Sequence, residues 1–156
     1  MATVTNSSPG TRAEQGRSKG DKRGSRGLRN DNPLNIRHGK SQWVGMREKQ
    51  TDKSFVQFTE RMYGYRAAFV LLKNYIGKGA DTIGRIIARW APSRDGNDTQ
   101  AYIRHVSRST GIGAGQALSF EDKDALVEIV RSMAHMESGI IEDKAIIEQA
   151  YEMARK

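Results

Sequence analysis

Apolar positions recur every three or four residues over five stretches of the chain, each bounded by its own stop or start signal. In the first, Thr59 is placed as an N-cap with Glu60 in the opening turn. Met62, Tyr65, Ala68, Phe69, Leu72 and Ile76 then share one face, and Gly77 and Gly79 end the run. The second covers residues 81–90, with Ile83, Ile86, Ile87 and Trp90 on one side and Pro92 closing it. A loop leads to the third, which Asp98 or Asn97 caps and in which Tyr102, Ile103 and Val106 face inward. Gly111, Gly113 and Gly115 make a flexible link to the fourth. That fourth stretch, residues 120–138, is apolar over a wide face (Leu126, Val127, Ile129, Val130, Met133, Met136), as a central core helix would be. Gly139 breaks it, and residues 140–154 form a last amphipathic helix.

Upstream of Thr59 the pattern changes. Residues 28–40 are rich in turn formers (Asn30, Asp31, Asn32, Pro33, Asn35, Gly39), and residues 41–58 read as short extended pieces. Trp43-Val44, a polar turn and Phe55-Val56-Gln57-Phe58 predict a small β-hairpin. The expected fold is mainly α with this small β element near the start, and no internal repeat.

The first 27 residues have no apolar period. They are Ser, Gly, Thr, Ala and Asn interspersed with charge, and predict a disordered basic tail ahead of one domain over 28–156. Residues 1–29 hold seven Lys or Arg against Glu14 and Asp21, so five of the chain's eight net positive charges lie there. Such a tail is either a solvated leader or an arm for a polyanion: nucleic acid, anionic lipid or cell-wall polymer. No aromatic residue precedes Trp43, so it has no stacking platform for single strands.

The absence of cysteine in the 156 residues excludes disulfides, thiolate metal sites and cysteine nucleophiles. Three scattered histidines (His38, His105, His135) argue against a zinc enzyme. The opening residues have neither a basic n-region nor an apolar h-region, so no export signal is expected, and no segment is long and apolar enough to span a membrane.

What chemistry remains is carboxylate acid–base work. Glu137 follows Met133, Ala134 and Met136 on the most apolar helix and comes just before its end. It is either a solvated last-turn Glu or a partly desolvated acid, whose raised pKa suits proton donation near neutral pH. Asp52, ahead of Phe55, is either a turn former or a second carboxylate that positions water or balances an oxocarbenium charge. Tyr65 and Trp90 read as core. Trp43, Tyr63 and Tyr102 stay open between core packing and stacking on sugar rings. Asn32 and Asn35, with Arg37 and Gln57, offer the fixed donors and acceptors a sugar or N-acetyl group needs, or else satisfy one another in a turn.

Taken in order, these segments resemble the lysozyme-like superfamily of peptidoglycan-cleaving enzymes, and more closely its phage and prophage virion-associated lysins. The resemblance runs from Gly27 to Gly139. It is carried by Gly27-Leu28-Arg29-Asn30-Asp31-Asn32-Pro33-Leu34-Asn35-Ile36-Arg37, Trp43-Val44-Gly45, Phe55-Val56-Gln57-Phe58 and Tyr63-Gly64-Tyr65-Arg66-Ala67. Arg89-Trp90-Ala91-Pro92 and Thr99…Tyr102-Ile103…Val106 follow, and Met136-Glu137-Ser138-Gly139 is similar to the catalytic Glu-Ser turn of lytic transglycosylases. The chain departs from the pattern at Leu34, where the family has Gly, at Asp98 for Glu and at Ser138 for Asn. In transglycosylases the Glu-Ser helix comes first and here it comes last. The resemblance therefore implies a circularly permuted lysozyme-like α+β domain with its catalytic helix near the C-terminus.

It further implies cleavage of MurNAc–GlcNAc bonds, of lytic transglycosylase or muramidase type, with Glu137 as acid and base, Asp52 as possible assistant, and no metal or cofactor. The partner would be the peptidoglycan glycan strand, with other virion proteins or a polyanion meeting the tail. The protein would be made in the host cytoplasm and act virion-associated or after release to the periplasmic wall. The rival expectation is a non-catalytic virion structural or wall-binding protein of the same fold.

Overall fold

The computed structural model describes residues 24–156. Six helices follow in order: α1 (Arg26–Arg29), α2 (Arg61–Gly77), α3 (Ile83–Trp90), α4 (Thr99–Thr110), α5 (Lys123–Ser138) and α6 (Lys144–Arg155), with a 3-10 turn at Ser93–Asp95 between α3 and α4. The protein is mainly helical, as the apolar period predicts.

Three helices start where a short polar side chain takes up an orphan N–H. Thr82 accepts from the Arg85 amide at 3.1 Å, Asp98 from Ala101 at 3.0 Å and Asp143 from Ala145 at 3.0 Å. Thr59 does not cap α2. Its hydroxyl and amide both donate to the Gly45 carbonyl, and the helix begins after Glu60 with no side-chain cap. The fourth apolar stretch turns helical only at Lys123; Phe120 lies ahead of the helix and stacks on Tyr151 at 5.1 Å.

Helix α5 is the centre of the core: Leu126, Val127, Ile129, Val130, Met133 and Ala134 are wholly buried. Each large side chain of this kind contributes about 2 kcal/mol on leaving water. Helix α4 crosses one side of α5, while α2 and α6 pack along each other and against α5. Phe69 of α2 meets Tyr151 of α6 edge-on at 5.4 Å, and the Tyr151 hydroxyl donates to the Phe120 carbonyl at 2.6 Å. Helix α6 thus closes the core with Ile147, Ala150, Tyr151 and Ala154. Tyr65 and Trp90 are fully buried, as expected of core residues.

The hairpin expected over 41–58 does not form. Among the described residues there are only two isolated antiparallel bridges, Arg37 with Phe55 and Met46 with Phe58. The 55–58 run spends its backbone on several partners instead of one strand. Val56 N–H donates to the Ile36 carbonyl and Phe58 N–H to that of Asn30, while Gln57 N–H goes to the Gln50 side chain. The expected tail boundary shifts as well: Arg26 and Gly27 belong to α1, and Gly27 is buried. The remainder of the expected tail, residues 1–23, lies outside the described residues.

Candidate functional site

The turn between α1 and the 55–58 run is built around Asn32, which has no exposed surface. Its carboxamide oxygen accepts from Ile36 N–H at 2.9 Å, and its amide donates to the carbonyls of Ile36 and Val56 at 2.9 and 2.8 Å. That closure forces Asn35 into the left-handed region (φ 53), which Asn tolerates better than most residues. Asn35 is thereby turned onto the end of α5, and its Nδ2 donates to Glu137 Oε1 at 3.0 Å.

From the other side Tyr102 of α4 donates its hydroxyl to Glu137 Oε2 at 3.0 Å. The Trp90 indole N–H also faces this carboxyl and favours its charged form, but it makes no hydrogen bond of normal geometry and stays unpartnered. Glu137 is only 6% exposed. Burial raises its pKa more than the donors of Asn35, Tyr102 and Trp90 lower it, and the carboxyl is pushed up to about 8. Burial, and then the neighbouring Glu137, raise the Tyr102 phenol well above its ordinary range, so Tyr102 stays a neutral donor. The site therefore presents a carboxylic acid that keeps its proton at neutral pH, with each oxygen held by a donor from a different element.

The C-terminus of α5 is locked in place beneath this carboxyl. Ser138 Oγ donates to the Pro33 carbonyl at 2.8 Å, and Ser25 Oγ donates to the Ser138 carbonyl at 3.0 Å. Gly27 lies so close to Ser138 Oγ that a Cβ there would overlap it. A second lock follows: Glu142, 3% exposed, accepts from Arg61 Nε at 2.8 Å and from the Tyr65 hydroxyl at 2.9 Å. Burial opposes its charge, but Arg61, Tyr65 and the Asp143 N–H outweigh it and keep the carboxylate ionised.

Asp52 is engaged elsewhere. Its two oxygens accept five hydrogen bonds, from Arg26 twice, Asn30, and the amides of Ser54 and Phe55. Burial works against the charge, yet these donors hold the carboxyl well below the ordinary range. No hydrogen bond joins it to Glu137, and its geometry is that of a loop-closing ion pair. Gln57 is likewise committed, bridging Asn30 and Thr51 through its amide. Arg37 lies over the Phe55 ring at 5.2 Å, and Trp43 and Tyr63 are half-buried, Tyr63 against Gly45.

Of the residues singled out in the sequence, Glu137, Asn35 and Tyr102 come together; Asn32 supports them from beneath. The Ser25–Ser138 and Arg61–Glu142 locks and the facing Trp90 N–H carry no signal in the sequence pattern, since each pairs residues far apart in the chain. A groove of about 460 Å³ lies between the end of α3 and the start of α4, lined by Pro92, Asn97, Asp98 and Thr99 among others. Among the described residues no helix is long and apolar enough to cross a membrane, and no group of three metal-ligating side chains occurs.

No family model matches the chain. It is, however, 42% identical over 118 residues to protein P5 of Pseudoalteromonas phage PM2, an alignment covering 73% of this chain and 71% of that protein. The chain belongs to the P5 family. An alignment of that extent is too long to lie within residues 1–23 or within any single helix. The P5 relationship therefore takes in much of the helical domain described above.

Proposed function

We propose that this P5-family protein cleaves the glycan strand of peptidoglycan between MurNAc and GlcNAc, with Glu137 as a single general acid and base. The observation that carries the reading is Glu137 itself, a buried carboxyl with a pKa near 8, oriented by Asn35 and Tyr102 at the end of the central helix. A carboxyl that is still protonated at neutral pH can give its proton to the glycosidic oxygen as the bond breaks toward an oxocarbenium-like state. Once ionised, it is stabilised by the same two donors and can take a proton from the attacking hydroxyl.

The engagement of Asp52 favours a one-carboxylate mechanism, and with it the lytic transglycosylase type over a muramidase with two working carboxylates. The lysozyme-like motif order and its permutation support the same reading. Asn35 and Tyr102 then serve to orient the acid. Kinship with a phage protein favours delivery to the cell wall with a virion or after lysis begins.

The test is digestion of purified peptidoglycan by wild type and Glu137→Gln, with products read by mass spectrometry. Anhydro-muropeptides from wild type alone are expected, with circular dichroism of the variant unchanged. Reducing ends would replace the transglycosylase by a hydrolase, and no product from wild type would overturn the enzymatic reading. The rival is a non-catalytic wall- or polyanion-binding virion protein, favoured by the concentration of positive charge in residues 1–29.

A further inference from the structure

The seam between α4 and α5 carries polar pairs in antiparallel register: Tyr102 on Glu137, His105 beside His135, and Ser109 on Ser132. The first pair belongs to the site above; the histidine pair has no part in it. The two imidazole centroids are 5.4 Å apart and the rings are tilted by 50°.

The His105 Nε2 is buried without a hydrogen-bond partner, and the Ser132 backbone beside the ring favours its charged form. A neutral imidazole keeps one nitrogen without a proton, and that nitrogen can take a metal ion. Burial, and then the neighbouring His135, lower the His105 pKa and keep that ring neutral. An unpartnered ring nitrogen beside a second imidazole is the kind of donor pair that a metal ion bridges. Two imidazoles on one tetrahedral ion, each at roughly 2 Å through nitrogen, place their centroids about 5 Å apart, which this pair matches. His135 is exposed and borders a depression of about 150 Å³, lined also by Ser109, Glu128, Arg131, Ser132 and Ile141, which leaves the His135 side of the pair open. Arg131 is the unfavourable charge there, though its Nε donates to the Glu142 carbonyl at 2.8 Å.

We propose that His105 and His135 form a two-histidine site for a transition-metal dication of the Zn²⁺ class, bridging α4 to α5. No third protein ligand completes it among the described residues, so water or an outside ligand fills the remaining positions. The ion fastens the two helices that carry Tyr102 and Glu137, one turn from Tyr102 and two residues from Glu137. Its binding does not depend on whether the chain cleaves glycan.

The test is titration of the full-length protein with ZnCl₂, followed by calorimetry and by thermal unfolding. One equivalent is expected to bind and to raise the unfolding midpoint, since it favours the folded chain. His105→Asn and His135→Asn should each weaken binding by roughly tenfold or more, while His38→Asn binds as wild type does. His135 is on the surface, so its variant decides the matter even if His105→Asn fails to fold. Absence of binding by wild type, or binding unchanged in His135→Asn, overturns the site.

Discussion

Glu137 stores a cost that the rest of the fold must carry. A carboxyl whose pKa rises from its ordinary 4.5 to about 8 on folding binds its proton more tightly in the native chain than in the unfolded one. Its contribution to stability is fully present below pH 4.5 and is lost as pH rises to 8, where the buried group ionises. Gln has no such titration. Wild type should therefore lose stability relative to Glu137→Gln across that window, by on the order of a few kcal/mol, in urea melts at stepped pH. A difference independent of pH would mean that Glu137 titrates normally. Cleavage, if Glu137 is the acid, should decline above about pH 8 as the proton leaves.

At the scale of elements, the end of α5 is where the sequence was both most and least informative. The apolar run and Gly139 make the helix and its stop legible, and Glu137 stands out because a charge follows so many apolar neighbours. Asn35 was legible as part of a polar turn, but its bond to Glu137 was not, because the pair is separated by 102 residues and no period links them. The hairpin expectation fails for a related reason: the apolar run 55–58 reports that these side chains are buried, not which backbone groups pair, and side chains of Gln50 and Asn32 take up the ladder's place. Gly27 shows how tight the junction is. An alanine there would strike Ser138 Oγ and crowd the Asn32 carbonyl and Asn35 Oδ1. Gly27→Ala should lower stability by about 1–3 kcal/mol in thermal melts and, by shifting Asn35, reduce cleavage in parallel. An unchanged melting curve would show that the contact relaxes without cost.

Over the whole molecule, the excess positive charge is shared between residues 1–23 and the helical domain. Residues 1–29 carry five of the eight net positive charges, but Arg26 and Arg29 lie in α1 and Arg26 pairs with Asp52, so residues 1–23 account for three of the eight, with five basic residues against Glu14 and Asp21. Deleting residues 1–23 should leave any cleavage of soluble glycan by the remaining domain intact and lower the salt-dependent affinity for anionic polymers, read as a shallower slope of binding against salt. Loss of cleavage together with affinity would tie the arm to the site.

The bond from Ser25 to Ser138 spans 113 residues, and Asn35 reaches Glu137 across 102. Contacts of such separation are slow to form, since a long loop must close before they contribute. A polypeptide emerging from the ribosome holds the turn and the groove long before it holds the acid. On the proposed reading, a chain released short of α5 would lack the acid, and cleavage would wait on the longest-range contacts of the fold.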